Sequence, residues 1–184
     1  FSDIANFTNS TSGLSPELLT EFVNKYLSEM TDIIQSHSGM IDKYEGDAIM
    51  ALFGAPVSRL DHTKLACWAA LDNLKKLTEL NRYFKEAALP LIDIRIGINS
   101  GEMVVGNLGS NKVLSYTVMG EEVILANRLE GVNKFYGTKI LISDSTFQGA
   151  KDFVEAREVD AIRAKGMKRA VRIYEVLARK GEAA

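Results

Sequence analysis

The chain has 184 residues, of which 46% are apolar and 25% charged, and its formal net charge is −2. This length suits one well-packed domain and is short for two. The charge balance argues against a nucleic-acid-binding surface, and no apolar run approaches the ~20 residues of a membrane span. The single cysteine, Cys67, lies in a run of helical character and is expected to pack in the core of a protein from a reducing compartment.

The first elements in chain order are a helix and a β-hairpin. Pro16 follows a serine suited to the N-cap, and apolar residues then recur at helical spacing for about six turns. Two short apolar runs, 40–43 and 48–53, come next and are joined near Gly46 and Asp47. Apolar runs separated by such a turn predict a hairpin.

The second half of the chain predicts two more helices and several strands. Asp61 is expected to cap a helix that runs to about residue 85, and the strict alternation over 92–98 predicts a half-buried strand. A third helix is predicted over 121–136, ended by Gly137. Further short strands are predicted over 139–142, 153–162 and 170–177.

This order of elements predicts an α+β fold. We expect a ferredoxin-like βαββαβ core with extra strands, in which the helices pack on one face of a mainly antiparallel sheet. The domain is placed at residues 1–177, followed by a C-terminal tail over 178–184. The chain opens at Phe1 as if at the end of a strand, so we expect a longer protein.

Two acidic residues stand at positions that a ferredoxin-like sheet can bring together. Asp3 ends the first strand, and Asp47 lies at the hairpin turn. Two adjacent carboxylates repel each other unless a divalent cation such as Mg²⁺ or Mn²⁺ pairs them. If the turn at 4–8 opens a short helix, its N–H groups would face an anion. This combination describes a nucleoside triphosphate site, although aspartates at turns are also common turn formers.

Several segments, in order and with matching gaps, resemble the class III adenylyl and guanylyl cyclases. They are FSDI (1–4) with FT (7–8), DKYEGDAIMA (42–51) with FGAP (53–56), RIGINSG (95–101) with VGN (105–107), YTVMG (116–120) and ANRLE (126–130). The resemblance covers nearly the whole chain. It implies a catalytic domain that cyclises a nucleoside triphosphate to a 3′,5′-cyclic monophosphate and pyrophosphate.

The resemblance also implies a role for individual residues. Asp3 and Asp47, with the backbone carbonyl of Ile4, would hold two Mg²⁺ or Mn²⁺ ions per active site. Arg128 would neutralise charge on the α-phosphoryl group in the transition state. The residues implied to bind the phosphates or lie beside them are Phe7, Thr8, Gly46 and Lys165.

Base selection is implied to rest on Lys43 and Thr117. A lysine can donate to adenine N1, and a threonine hydroxyl can accept from the adenine amino group. Guanylyl cyclases of this family carry an acidic residue where Lys43 stands, so the resemblance favours ATP. Threonine in place of aspartate at position 117 resembles a bacterial subgroup.

Two positions depart from the family pattern. Asn6 replaces the usual glycine, and asparagine tolerates left-handed backbone better than most residues. Ile124 replaces an asparagine that orients the ribose, and losing such a contact can cost on the order of 10²-fold in rate. Asn127, about one helical turn away, is a candidate substitute. The alternative function is therefore a weak or inactive cyclase-homology domain that binds nucleotide or regulates a partner.

The family resemblance implies a homodimer with active sites shared across the interface. We also expect an upstream sensor or membrane domain in the full-length chain, which would make this the cytoplasmic domain of a signalling protein. A second alternative is a palm-like polymerase or a cyclic dinucleotide synthase. The polymerase is disfavoured by the acidic pI of about 5.8, and the synthase by the absence of an acidic Gly-Gly turn.

Overall fold

The computed structural model describes residues 1–163 and 169–182. The strands are β1 (Ser2–Ile4), β2 (Met40–Glu45), β3 (Ala48–Leu52), β4 (Ile94–Ile98), β5 (Val104–Gly109), β6 (Leu114–Met119), β7 (Ile140–Ser143), β8 (Val154–Ile162) and β9 (Val171–Arg179). The helices are α1 (Phe7–Thr11), α2 (Pro16–Ser36), α3 (His62–Glu86), α4 (Glu121–Tyr136) and α5 (Asp144–Ala150).

Seven strands form one sheet in the order β2-β3-β1-β4-β7-β9-β8. Among the strand pairs of the described residues, only β4–β7 is parallel, so the sheet is mainly antiparallel and the predicted α+β class is confirmed. The short β1 lies between β3 and β4, with Ser2 opposite both Ile49 and Ile96. This placement puts the end of β1 beside the turn of the β2–β3 hairpin.

The main core lies between one face of the sheet and helices α2, α3 and α5. Ile94 and Ile96 of β4 point into it, as do Ile140 and Ile142 of β7. Cys67 of α3 is fully buried there, and burial raises the pKa of its thiol to about 12. The sequence prediction of a core cysteine is thus confirmed.

Helix α4 packs on the opposite face of the sheet. Its Leu125 and Leu129 contact Leu141 of β7 and Ile173 of β9, which alternate with residues of the main core. The prediction that all helices lie on one face is therefore wrong. The physical reason is that β7 is buried on both faces, and its unbroken apolar run 140–142 is typical of such a strand.

Helix termini illustrate what short-range patterns predict. The hydroxyl of Ser15 accepts a hydrogen bond from the amide of Leu18, and Gly137 ends α4 in the left-handed conformation. Asp61 occupies the predicted N-cap position of α3, but its carboxylate binds Arg59 rather than a helix amide. Helix α5 was not predicted, although Ser143 at its N-cap accepts from the amide of Thr146.

Strands β5 and β6 form a separate two-stranded sheet, called the β5–β6 arm below. Several of its apolar side chains are exposed, namely Val104, Val105, Leu114, Tyr116 and Met119. None of the helices in the described ranges has the length and apolar character that crossing a membrane demands.

Candidate active site

The structure brings Asp3 and Asp47 together at the end of β1. The amide of Ile4 donates to Asp47 Oδ2 at 3.2 Å, which fixes the Asp47 carboxylate beside the strand. Burial, together with a hydrogen bond and the charge of Asp3, raises the pKa of Asp47 from 3.8 to about 7. The two carboxylates therefore form a partly buried anionic pair.

The hairpin turn explains how Asp47 reaches this position. Glu45 pairs with Ala48, so Gly46 and Asp47 form a two-residue loop. Gly46 has φ of +67°, a left-handed conformation that such tight turns require and that glycine adopts without strain. The turn thus projects the Asp47 side chain towards β1 rather than away from the sheet.

The arginine opposite Asp3 does not neutralise the carboxylate pair. Arg95 is opposite Asp3 on β4, but its Nε donates to Glu130 Oε1 of α4 at 3.0 Å. Both side chains of this ion pair are largely buried, at 17% and 13% exposure. The positive charge of Arg95 is thus committed to Glu130, and Asp3 and Asp47 keep a net negative charge.

This donor set fits a hard divalent cation. Carboxylate and carbonyl oxygens are the ligands that Mg²⁺ and Mn²⁺ prefer. The N–H and C=O of one strand residue point to the same side, so the carbonyl of Ile4 faces the same side as its Asp47-bound amide. Within residues 1–163 and 169–182, no cluster of three or more His, Cys, Asp or Glu side chains offers a rival metal site.

Helix α1 begins directly after this site. Asn6 precedes it with φ 57° and ψ 32°, so asparagine takes the left-handed conformation for which glycine is usual. The amides of Asn9 and Ser10 donate to the carbonyl of Asn6. The amides of Phe7 and Thr8 come before these bonds and lack intrahelical acceptors, as at any helix start.

Lys43 and Thr117 meet through a third residue, Asp42. Thr117 Oγ1 donates to Asp42 Oδ2 at 2.6 Å, and Lys43 Nζ lies 3.3 Å from Asp42 Oδ1. The Asp42 side chain is 1% exposed, whereas that of Lys43 is 42% exposed. The hydrogen bond joins the β5–β6 arm to the edge strand β2 of the main sheet.

The remaining predicted residues lie together on the outer surface of α4. Ile124, Asn127 and Arg128 line a cavity of about 210 Å³ with Phe1 and Val123. Ile124 is 52% exposed, so its side chain has no packing role that would require an isoleucine. Asn127 and Arg128 are exposed as well.

The single chain thus holds three separate groups: the carboxylate pair, the Lys43–Asp42–Thr117 group and the α4 cavity. No hydrogen bond or ion pair among the described residues connects the side chains of one group to those of another. Lys165, predicted to hold the terminal phosphates, lies outside the described residues.

Comparison with known proteins gives the family. The family described as "Adenylate and Guanylate cyclase catalytic domain" matches residues 1–178. This chain belongs to that family. It is 37% identical over 177 residues to adenylate cyclase 1 of Rhizobium meliloti (strain 1021), a match that covers 96% of this chain and 27% of that protein. This chain therefore spans only about a quarter of the relative's length.

Solved cyclase structures share the fold closely. The adenylyl cyclase CyaB from P. aeruginosa superposes with a TM-score of 0.91 at 34% identity, covering 100% of this chain and 94% of that one. The guanylyl cyclase Cya2 gives a TM-score of 0.88 at 37% identity, with 98% and 90% covered. Similar structures thus include enzymes named for either base, and the cyclase fold leaves the choice of base to side chains.

Sequence reasoning missed two parts of this cyclase site. Asp42 and the Arg95–Glu130 pair lie within recognised motifs, but neither was assigned a role. In the sequence these residues differ from others only as charges at positions that a strand or helix buries. The role of a buried charge becomes clear only when its partner in the folded chain is known.

Proposed function

We propose that this cyclase domain converts ATP to 3′,5′-cyclic AMP and pyrophosphate. The observation that carries the choice of ATP is the pairing of Lys43 and Thr117 around Asp42. An ammonium group can donate to adenine N1, which is an acceptor. Guanine carries a hydrogen on N1, so the same lysine would face a donor.

The carboxylate pair and the Ile4 carbonyl are the proposed metal ligands. When bound, two Mg²⁺ or Mn²⁺ ions supply a lowered pKa at the ribose 3′-hydroxyl and neutralise charge on the triphosphate. The negative charge of Asp3 and Asp47 at the end of β1 remains available to the metal ions, because Arg95 is paired with Glu130. In this proposal the amides of Phe7 and Thr8 and the backbone at Gly46 face the phosphates, and Lys165 would hold the terminal phosphates.

The reaction forms one bond and breaks another at the α-phosphorus. The 3′-oxygen attacks in line as its proton passes to water, while the bond to the β-phosphate oxygen breaks and pyrophosphate leaves. Arg128 donates to the α-phosphoryl oxygens as their charge changes in the transition state. Asn127, one position before Arg128 on α4, is proposed to contact the ribose in place of the asparagine that Ile124 replaces.

A homodimer with shared sites is the proposed assembly. The three groups of site residues are not joined within one chain, so a second copy would have to bring Arg128 to the carboxylate pair. The β5–β6 arm exposes apolar side chains on both of its faces, including Leu114 at 62% and Met119 at 58%. Such a surface suits burial against another copy.

The direct test is product formation by the purified protein with ATP or GTP, in Mn²⁺ or Mg²⁺. We expect cyclic AMP from ATP and much less cyclic GTP from GTP. Cyclic GTP as the main product would overturn the base assignment. Nucleotide binding without product from either substrate would favour the alternative, a cyclase-homology domain that acts as a nucleotide-binding or regulatory module.

Ile124 is the observation that favours this alternative. Restoring a hydrogen-bonding side chain with Ile124→Asn is expected to raise kcat by about tenfold to 10²-fold, because the ribose would gain a positioning contact. The substitution suits the site, since Ile124 is half exposed beside Arg128. Initial rates with ATP measure the effect, and Val123→Asn at the same cavity is the control. An unchanged kcat would mean that Asn127 already makes this contact.

Preference between metals follows from the same argument. If Ile124 weakens substrate orientation, the wild-type protein should work better with Mn²⁺ than with Mg²⁺. We further propose a role in signal transduction on the cytoplasmic side, under the control of an upstream sensor or membrane domain. The larger size of the Rhizobium meliloti relative supports the presence of further domains.

A further inference from the structure

We propose that Asp42 is a positioning residue that makes the site selective for a 6-amino purine. It does so by fixing the direction of the Thr117 hydroxyl proton. The inference rests on the proposed function, in which Thr117 faces the base, and it deepens that function by naming a residue that determines specificity. Asp42 itself need not touch the nucleotide.

Asp42 sets the direction of the hydrogen bond that Thr117 makes. A hydroxyl has one proton to donate, and a carboxylate can only accept. The 2.6 Å contact therefore commits the Thr117 proton to Asp42 Oδ2. The lone pairs of Thr117 Oγ1 remain free, so towards any other partner this hydroxyl is only an acceptor. It can receive a hydrogen bond from an amino group but cannot donate one to a carbonyl oxygen.

Adenine and guanine differ at position 6 of the purine ring. Adenine carries an amino group at position 6, and guanine carries a carbonyl oxygen there. An accept-only hydroxyl pairs with the first and leaves the second without a donor. A buried acceptor facing another acceptor is unfavourable, because both have lost water. Thr117 is only 9% exposed, so water has little room to compensate.

Asp42 lies at an irregularity in the pairing of β2 with β3. Ile41 pairs with Ala51 and Lys43 with Met50, so Asp42 is the extra residue of a β-bulge in β2. Bulges redirect side chains and often lie next to active sites. Here the bulge leaves Lys43 Nζ 3.3 Å from Asp42 Oδ1. One buried carboxylate therefore contacts both residues proposed to read the base.

Asp42 Oδ1 accepts no hydrogen bond of good geometry within the described part of the chain, in spite of the nearby ammonium group. A carboxylate kept only to join the β5–β6 arm to β2 would be expected to use both oxygens. The position of Lys43 also predicts what an asparagine would do here. Its carbonyl oxygen would turn towards the ammonium group, and its NH₂ group would face Thr117.

The test is Asp42→Asn, which keeps the shape of the side chain and reverses the direction of its hydrogen bond with Thr117. The new NH₂ group donates to Thr117 Oγ1, and the hydroxyl proton becomes free to donate to a 6-oxo group. We expect the ATP-to-GTP ratio of kcat/KM to fall about tenfold, through a loss with ATP and a gain with GTP. A purine nucleotide without a 6-substituent should give the same kcat/KM with the wild type and with Asp42→Asn.

Two further variants separate positioning from stability. Asp42→Asn/Thr117→Val should show the same ATP-to-GTP ratio as Thr117→Val alone, since Asp42 acts through the hydroxyl. Asp160→Asn is the matched control, because Asp160 also accepts from a hydroxyl, that of Tyr136, at 2.5 Å on the exposed β8. Its ratio should not change.

The outcomes distinguish this inference from the function on which it rests. An equal loss of kcat/KM with ATP and GTP in Asp42→Asn, with a lower Tm, would overturn the inference. Asp42 would then only stabilise the contact between the β5–β6 arm and β2. If the wild type forms no cyclic product, the function fails, and the ratio of Kd values for nonhydrolysable ATP and GTP analogues still tests Asp42. No change in that ratio, or no binding of either analogue, would overturn the inference as well.

Discussion

Asp47→Asn is expected to reduce cyclic AMP formation by about 10³-fold or more, because it removes a proposed metal ligand. The same change should not harm the fold. Burial and the neighbouring Asp3 already disfavour the ionised Asp47 carboxylate, so a neutral side chain relieves the repulsion. Initial rates with ATP and Mn²⁺ measure the loss, and Asp32→Asn on the exposed surface of α2 is the matched control.

The pKa of Asp47 gives this variant a second readout. Because the folded-state pKa is about 7 and the ordinary value is 3.8, the folded protein binds the proton more tightly than the unfolded chain. Without divalent ions, this group should therefore raise the Tm as the pH falls from about 8 to about 5. Asp47→Asn should lack that component.

Divalent ions link the two readouts. Mn²⁺ at about pH 8 should raise the Tm of the wild type and not that of Asp47→Asn, since a ligand that binds only the folded state stabilises it. Full activity in Asp47→Asn, or an equal Mn²⁺ shift in both proteins, would contradict the metal-ligand role of Asp47.

Arg128→Ala is expected to lower kcat by ~10³ to 10⁵ with little change in KM, because the guanidinium acts on charge that develops only in the transition state. Arg128 is exposed on α4, so its removal should leave the Tm unchanged. Arg82→Ala is the control for loss of a surface charge, because Arg82 is also exposed, on α3.

Mixed dimers test whether Arg128 acts across an interface. Co-expression of Asp47→Asn with Arg128→Ala should restore about a quarter of wild-type activity, because half of the dimers are mixed and each mixed dimer has one intact site. No recovery in isolated mixed dimers would show that each chain uses its own Arg128. A fully active monomer would exclude a shared site altogether.

Local patterns in the sequence were enough to locate most elements. Helix α4 runs over the predicted residues and ends at Gly137, and the β2–β3 hairpin turns at Gly46 and Asp47. These features depend on apolar periodicity and on backbone conformations that few residues adopt, both of which are properties of neighbouring residues. The motifs that surround Asp3, Asp47 and Lys43 are also made of neighbouring residues, so they could be recognised from the sequence.

Contacts between distant segments could not be read in this way. Which face of the sheet α4 covers depends on how β7 is buried. The carboxylate of Asp61, at the N-cap of α3, pairs with Arg59 rather than with a helix amide. Asp42 looks like any strand-edge aspartate until Thr117, 75 positions away, donates to it. The residue type determines which donors and acceptors a side chain has, but the direction of its hydrogen bonds depends on the neighbours that folding brings to it.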